Sequence, residues 1–354
     1  MYFECINCNT SVDPHISMSI CDDCSYPLTI RNNDAALMSK TLKIVTLGEG
    51  GSKLISLTKA SQLIGVSKIY AKLENSNPTG SFKDRGSAIM ISAIKSAGIN
   101  TIVEDSSGNA GASVAAYSAV AGITSHIFIP ENAPKAKIDQ ISIYGAKIHK
   151  IPGHRDNAEK EAKQFALDRN FLYASHNINP FFLEGTKSFS REVAMELGSN
   201  LPDHIVIPVG NGSLLISTYL LLNELWQSGS LNKLPKLYAI QSEAVKPIVS
   251  QVHGISWSVT QKKNTCADGI ASTNPPRMRQ ILDAIRETKG DSVSVTEDSI
   301  IKYRNLIAEQ EGIFMEPTSA VSFAGLESLV HNKKIKSSDS VLIPITGSGL
   351  KSIV

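Results

Sequence analysis

The stretch Asn77-Pro78-Thr79-Gly80-Ser81-Phe82-Lys83-Asp84-Arg85-Gly86 and its flanks decide the fold. Asn-Pro-Thr-Gly is turn chemistry, because proline presets one backbone angle and glycine accepts the others freely. Upstream, Ile69 to Leu73 reads as a short strand; downstream, Asp84 to Ala97 has helical spacing and stops at Gly98. Strand, loop and helix in that order make half of a βαβ unit, and ligands of such folds sit in the loops at strand C-terminal ends. Lys83 falls in the first helical turn, where the positive end of the helix dipole disfavours its cation. The same field lowers its pKa and favours a neutral amine able to attack a carbonyl. On position alone, a solvated lysine at a helix start is the plainer reading.

The alternation continues outward. Thr101 to Glu104 is strand-like, Ala110 to Ala121 helical, His126 to Ile129 a strand, Lys135 to Tyr144 helical and Lys147 to Ile151 a strand. Arg155 to Asp168 is a charged amphipathic helix and Phe171 to Ala174 a strand. Then come helix Glu184 to Leu197, strand His204 to Val209, helix Leu214 to Trp226, strand Leu237 to Gln241 and a last strand, Val341 to Ile343. Strands alternating with helices of this length imply parallel sheets covered on both faces. The 354 residues suit two such sheets. The expected fold class is α/β: two doubly wound three-layer lobes, 31-185 with the lysine loop and 186-354 with a glycine-rich loop, after a small N-terminal appendage, 1-30.

Three more strand-to-helix or strand-end loops stand out. Asp105-Ser-Ser-Gly-Asn-Ala110 offers helix caps on the plain reading, and on the functional one a run of free backbone N–H groups suited to a carboxylate. Pro208-Val-Gly-Asn-Gly-Ser213 lets backbone approach a ligand closely at a helix N-terminus, where N–H donors suit phosphate. It lacks the lysine of a Walker loop and the third glycine of a dinucleotide fingerprint. Pro344-Ile-Thr-Gly-Ser-Gly349 ends a strand, and Thr346 can give or take one neutral hydrogen bond there.

Four of the five cysteines lie in the first 24 residues, as Cys5-x2-Cys8 and Cys21-x2-Cys24. Two such knuckles suit a closed, four-thiolate structural zinc, which would supply the folding energy of a segment with no core of its own. Thirty-five basic against 33 acidic residues, net +2, give no field that gathers nucleic acid or an anionic membrane. No basic leader with an apolar core is visible, and the longest apolar run, Leu214 to Trp226, is too short to span a bilayer. A cytoplasmic protein acting on a small molecule, without nucleic-acid or membrane partners, is the expectation.

Together these loops resemble one known active site. Asn77 to Gly86 is similar to the cofactor-lysine motif of the threonine synthase family, within the tryptophan-synthase-like, fold type II pyridoxal-phosphate enzymes. The Ser-Ser-Gly-Asn loop, the Val-Gly-Asn-Gly loop, Glu316-Pro-Thr-Ser-Ala320 and Thr346-Gly-Ser-Gly-Leu-Lys351 follow in that family's order, and many members carry an N-terminal CxxC ribbon. The resemblance implies roles for particular residues. Lys83 would hold pyridoxal 5'-phosphate as an internal aldimine and then act as base at the substrate's α-carbon. Asn109 would bond the ring 3′-oxygen. Gly210, Asn211, Gly212, Ser213 and Leu214 would cradle the phosphate, and Thr346 would face the pyridine nitrogen. Ser106, Ser107 and the amides around Asn109 and Ala110 would take the substrate carboxylate. The cofactor would lie in a crevice between two lobes, and fold relatives are often homodimers.

The favoured substrate is O-phospho-L-homoserine, converted with water to L-threonine and phosphate. Two positions depart from the family pattern. Phe182 stands where many threonine synthases have a phosphate-binding arginine, and Ala110 where many have threonine. Lys187, His176 or Arg155 are the cations on hand to replace the arginine. The rivals are a threonine or serine dehydratase, a phosphoserine-type β-replacement synthase resembling cysteate synthase, and an idle binding protein on the same scaffold.

Overall fold

The computed structural model describes residues 1–31, 42–153, 155–198 and 200–352. Residues 32–41 of the expected 31-185 lobe and the last two residues of the expected 186-354 lobe therefore lie outside the described residues. The described chain forms two compact units. The first holds 1–49 and 77–186; the second holds 50–76 and the chain from Lys187 onward.

In the first unit a four-stranded parallel sheet has the order Lys147–Ile151, Thr124–Pro130, Thr101–Glu104, Leu172–Tyr173. Successive side chains of a strand point to opposite faces, and here both faces are covered. Ile102, Ile127 and Ile129 join the core built with helices Lys83–Ser96 and Asn109–Ala121. Val103 and Phe128 pack on Ala158, Ala162 and Ala166 of helix Arg155–Arg169. The N-terminal segment is a three-stranded antiparallel sheet of order Ser11–Val12, Tyr2–Glu4, Thr29–Arg31. Its own apolar side chains are few. Phe3, Leu28 and Ile30 are buried in the first unit's core, with the Phe3 ring edge-on to Phe181 at 5.7 Å.

The second unit is built on a six-stranded sheet of order Asp291–Val295, Lys236–Ser242, His204–Pro208, Ser340–Pro344, Lys68–Lys72, Leu54–Ser56. All neighbours are parallel except the last pair. Val206, Tyr238, Ile240, Val341 and Ile343 pack on helices Glu297–Glu311 and Pro317–His331. Ser213–Gln227 and Met278–Glu287 pack on each other and on Lys236–Ser242.

Two features differ from the sequence expectation. The segment 50–76 precedes the lysine loop in the chain, yet it belongs to the second unit. The reason is register: Lys68–Lys72 pairs residue for residue with Ser340–Pro344, which follows it by some 270 positions. The helix expected over Glu184 to Leu197 is instead two, Pro180–Thr186 and Ser188–Leu197, broken at the residue where one unit gives way to the other. The first of them lies very close to Lys83–Ser96. A side chain on Gly185 would stand 2.3 Å from the Arg85 carbonyl oxygen, and one on Gly86 would stand 2.7 Å from three ring carbons of Phe182. Two glycines thus let the backbones approach, and the approach seats Phe182 one turn from Lys83.

Candidate active site

Lys83 opens helix Lys83–Ser96, as the sequence suggested. The loop before it is fixed by Asp84, fully buried. Its carboxylate accepts from the Thr79 backbone N–H at 2.7 Å, from the Thr79 hydroxyl at 2.6 Å and from the Ser113 hydroxyl at 2.6 Å. Gln140 adds a bond to the Thr79 carbonyl at 3.0 Å. An acid in the first turn also complements the helix dipole. So the turn residues, the lysine and the next helix form one braced unit, and the braces explain the Thr and Asp of the motif. The Lys83 Nζ stands 4.8 Å from the Phe82 ring centroid and 5.6 Å from that of Phe182. Ser81, two residues earlier, is fully buried, and its hydroxyl has no hydrogen-bond partner among the described residues.

The second loop belongs to the same unit. Ser106 is buried, Ser107 and Asn109 are half-buried, and Ala110 is buried at the start of helix Asn109–Ala121. Plain capping does not account for the two serines. Gly108 occupies the cap position and no side chain caps the helix; the Ser106 hydroxyl instead accepts from the Gly108 N–H at 3.3 Å.

In the second unit the Gly210-Asn211-Gly212 loop leads into helix Ser213–Gln227, again without a side-chain cap. Gly212 has φ +84°, and a side chain on Gly210 would stand 2.9 Å from the Ile270 Cα. Asn211 is tied through Oδ1 to the Ser272 hydroxyl at 2.5 Å. Ser213 and Leu214 are buried. Thr346 is 2% exposed; its Oγ1 lies 2.8 Å from the Ser319 hydroxyl and donates to Glu316 at 3.3 Å. Lys187 lies in this unit too, fully buried, with its ammonium on Glu224 at 2.7 Å.

One buried pair escaped the sequence reading, which weighed only half of it. Glu104 ends one strand and His176 follows its parallel neighbour, and both are at least 95% buried. The imidazole Nδ1 lies 2.7 Å from Glu104 Oε1, and the His176 backbone N–H donates to Oε2 at 3.1 Å. Burial pushes the Glu104 carboxyl up to about 8, against the pull of the His176 N–H and of the Arg155 and Lys83 charges. Burial likewise holds His176 well below the ordinary imidazole value, and the Lys83 and Arg155 charges add to this. Burial thus favours the uncharged form of both groups. No motif marks them; the only sequence signal is an acid closing an apolar strand.

A carboxyl whose folded pKa is raised stabilises the fold below its ordinary value, 4.5, and loses that contribution as pH rises through about 8. Relative to a Glu104→Gln variant, which cannot ionise, the protein is therefore expected to lose stability across that window. Urea denaturation of both proteins at pH 5 and pH 8 checks this; a constant difference would contradict it.

The four N-terminal thiols lie within 4.8 Å of one another, with Cys5 to Cys24 at 3.4 Å and Cys8 to Cys21 at 3.5 Å. A tetrahedron of thiolates about 2.3 Å from zinc has edges of roughly 3.8 Å, so the donor set fits that ion. Metal analysis of protein made in zinc-supplemented medium is expected to find about one zinc per chain, lost in Cys8→Ser together with several degrees of Tm. Retention of full Tm on complete chelation would count against a structural ion.

The model of the family described as pyridoxal-phosphate dependent enzymes matches residues 45–347. Threonine synthase of Methanocaldococcus jannaschii is 36% identical over 87% of this chain and 77% of its own, and that of Methanosarcina acetivorans 36% over 90% and 79%. This chain belongs to the threonine synthase family of pyridoxal-phosphate dependent enzymes. It is accordingly a pyridoxal-phosphate-dependent lyase. Among solved structures, maize serine racemase superposes with a TM-score of 0.74 at 21% identity, covering 89% of this chain and 93% of that one. The processed form of threonine deaminase isoform 2 from Solanum lycopersicum gives 0.72 at 20%, covering 89% and 85%. At those identities the likeness is one of fold, and it is the fold type II architecture.

The residues present fit the cofactor. The glycine-rich loop leaves no room for side chains and presents helix-start N–H donors, which suits a phosphate. The buried, unpartnered Ser81 hydroxyl beside a half-buried lysine suits a polar ligand at that amine. Among the described residues no helix is long and apolar enough to cross a membrane.

Proposed function

We propose that this lyase converts O-phospho-L-homoserine and water to L-threonine and phosphate. The observation that carries the reading is the braced lysine at the head of its helix, in a chain 33–36% identical to threonine synthases over most of its length. Lys83 would hold the cofactor and then take the proton from the substrate's α-carbon. Pyridoxal phosphate, when bound, supplies the electron sink for the charge left at that carbon. The N–H groups of Gly210 to Leu214 would bind its phosphate, Asn109 its ring oxygen, and Thr346 would face its ring nitrogen. A neutral hydroxyl in that place, instead of a carboxylate, favours expulsion of a leaving group over transamination. Ser106, Ser107 and the amides of Asn109 and Ala110 would orient the substrate through its carboxylate.

A second reading is favoured by one side chain. Phe182 is fully buried beside Lys83 and offers no charge to a phosphate. Lys187, the nearest cation in sequence, would first have to give up Glu224. Elimination or β-replacement on serine, threonine or O-phosphoserine follows if the substrate end is uncharged or shorter. Product analysis over plain and phosphorylated hydroxy amino acids separates the two. Threonine with equimolar phosphate from O-phosphohomoserine supports the first; a keto acid from threonine or serine without phosphate release overturns it.

A further inference from the structure

A dianionic phosphate monoester whose carbon–oxygen bond breaks would release a trianion unless the oxygen takes up a proton, and a plain hydroxyl needs one still more. Phe182 has none to give, and Lys187 is engaged by Glu224. The Glu104–His176 pair is placed to supply it. It sits at the C-terminal end of adjacent strands of the first unit, the end where such sheets bind ligands. The His176 ring meets the Phe182 ring edge-on at 5.4 Å, and Lys83 Nζ stands 5.6 Å from that same ring. The imidazole is 5% exposed and its Nδ1 is committed to Glu104, which leaves Nε2 as the ring nitrogen able to serve a ligand. In the uncharged pair, a carboxylic proton on Oε1 would donate to Nδ1 and leave the ring hydrogen on Nε2. The charged and titratable groups around the pair are Lys83, Arg155, Asp105 and Tyr173, whose hydroxyl is 2.9 Å from Asp105.

We propose that His176, backed by Glu104, is the proton donor to the side-chain oxygen that leaves the substrate. This rests on the lyase reading above. As the carbon–oxygen bond breaks, its electron pair goes to the oxygen, which takes the Nε2 proton. The Glu104 carboxyl proton passes to Nδ1, leaving a carboxylate and a neutral imidazole; one proton from solvent resets the pair. The pair then selects for substrates that depart through oxygen.

The test compares the holoenzyme with Glu104→Gln and His176→Gln on two kinds of substrate. O-Phospho-L-homoserine and L-serine lose oxygen; L-2-amino-4-chlorobutanoate and β-chloro-L-alanine lose chloride, which needs no proton. Both variants are expected to keep the cofactor's absorbance, to lose about 100-fold or more in oxygen departure, and to expel chloride within a few-fold of the parent. In the parent, ¹⁵N-histidine NMR should find His176 neutral with its hydrogen on Nε2 at pH 7. Equal losses on both kinds of substrate, no loss on either, a hydrogen on Nδ1, or a parent that expels chloride but never oxygen would each overturn the proposal. A protein that retains no cofactor and expels neither group overturns the lyase reading itself, and the proposal with it. Should His176→Gln fail to fold, Glu104→Gln and the parent's NMR decide.

Discussion

Replacing Lys83 by Ala is expected to abolish the visible absorbance of the bound cofactor and to cut turnover by at least about 10³-fold, since one side chain both holds the cofactor and moves the α-proton. Two other withdrawn lysines serve as controls. Lys72 is fully buried, but Glu192 at 3.0 Å, Glu196 at 2.7 Å and the Ser52 carbonyl at 2.6 Å hold it in place. Lys187 is held by Glu224. Both are held in ion pairs, and breaking a buried pair costs stability. Lys187→Met should therefore keep the absorbance band that Lys83→Ala loses. Lys83 is only half-buried, and the loop beneath it is braced by Asp84, so its truncation should leave thermal unfolding nearly unchanged. A Lys83→Ala protein that kept both band and turnover would remove the basis of the functional reading.

The second large effect concerns the serine loop. A methyl group on Gly111 would stand 1.9 Å from the Ser106 carbonyl oxygen and 3.0 Å from its carbon. Both are backbone atoms, so no rotamer change relieves the clash and the loop itself must move. Gly111→Ala is expected to cost about 3 kcal/mol of stability, the upper part of the range for overpacking. The displaced loop should also weaken substrate binding. One charge-assisted hydrogen bond to a carboxylate is worth about 1.5–3 kcal/mol, so KM should rise roughly 10- to 100-fold. Gly108→Ala lies in the same loop, but its new methyl would meet nothing closer than the Ser106 hydroxyl at 4.0 Å. It should cost less than about 1 kcal/mol. Chemical denaturation of the two variants side by side checks the contrast, and equal stabilities would contradict it.

Much of this was legible in the sequence for a physical reason. In parallel α/β folds the chemistry sits where strands end and helices begin, so short polar loops between apolar runs mark themselves. Lys83, the serine loop and the glycine-rich loop all stand at such junctions, and the structure has a helix starting at Lys83, Asn109 and Ser213. Long-range pairing was not legible. Nothing in Lys68–Lys72 announces that its neighbour is Ser340–Pro344, and so 50–76 was grouped with the wrong partners by linear order. Helix Pro317–His331 is buried nearly all round, which erases the one-sided apolar stripe that betrays most helices. Met278–Glu287 and the Thr296 cap before Glu297 did carry usable signals. Glu104 and His176 are 72 positions apart, and each alone resembles ordinary core punctuation. Only the fold brings the acid to the imidazole.

Whether one particular amine carries the vitamin-derived cofactor is read most directly by borohydride reduction of the holoprotein, followed by proteolysis and mass spectrometry. A pyridoxyl group is expected on the peptide containing Lys83 and on no other lysine, at close to one per chain. A stoichiometric adduct on Lys72, Lys187 or any other lysine, with Lys83 unmodified, would contradict that assignment.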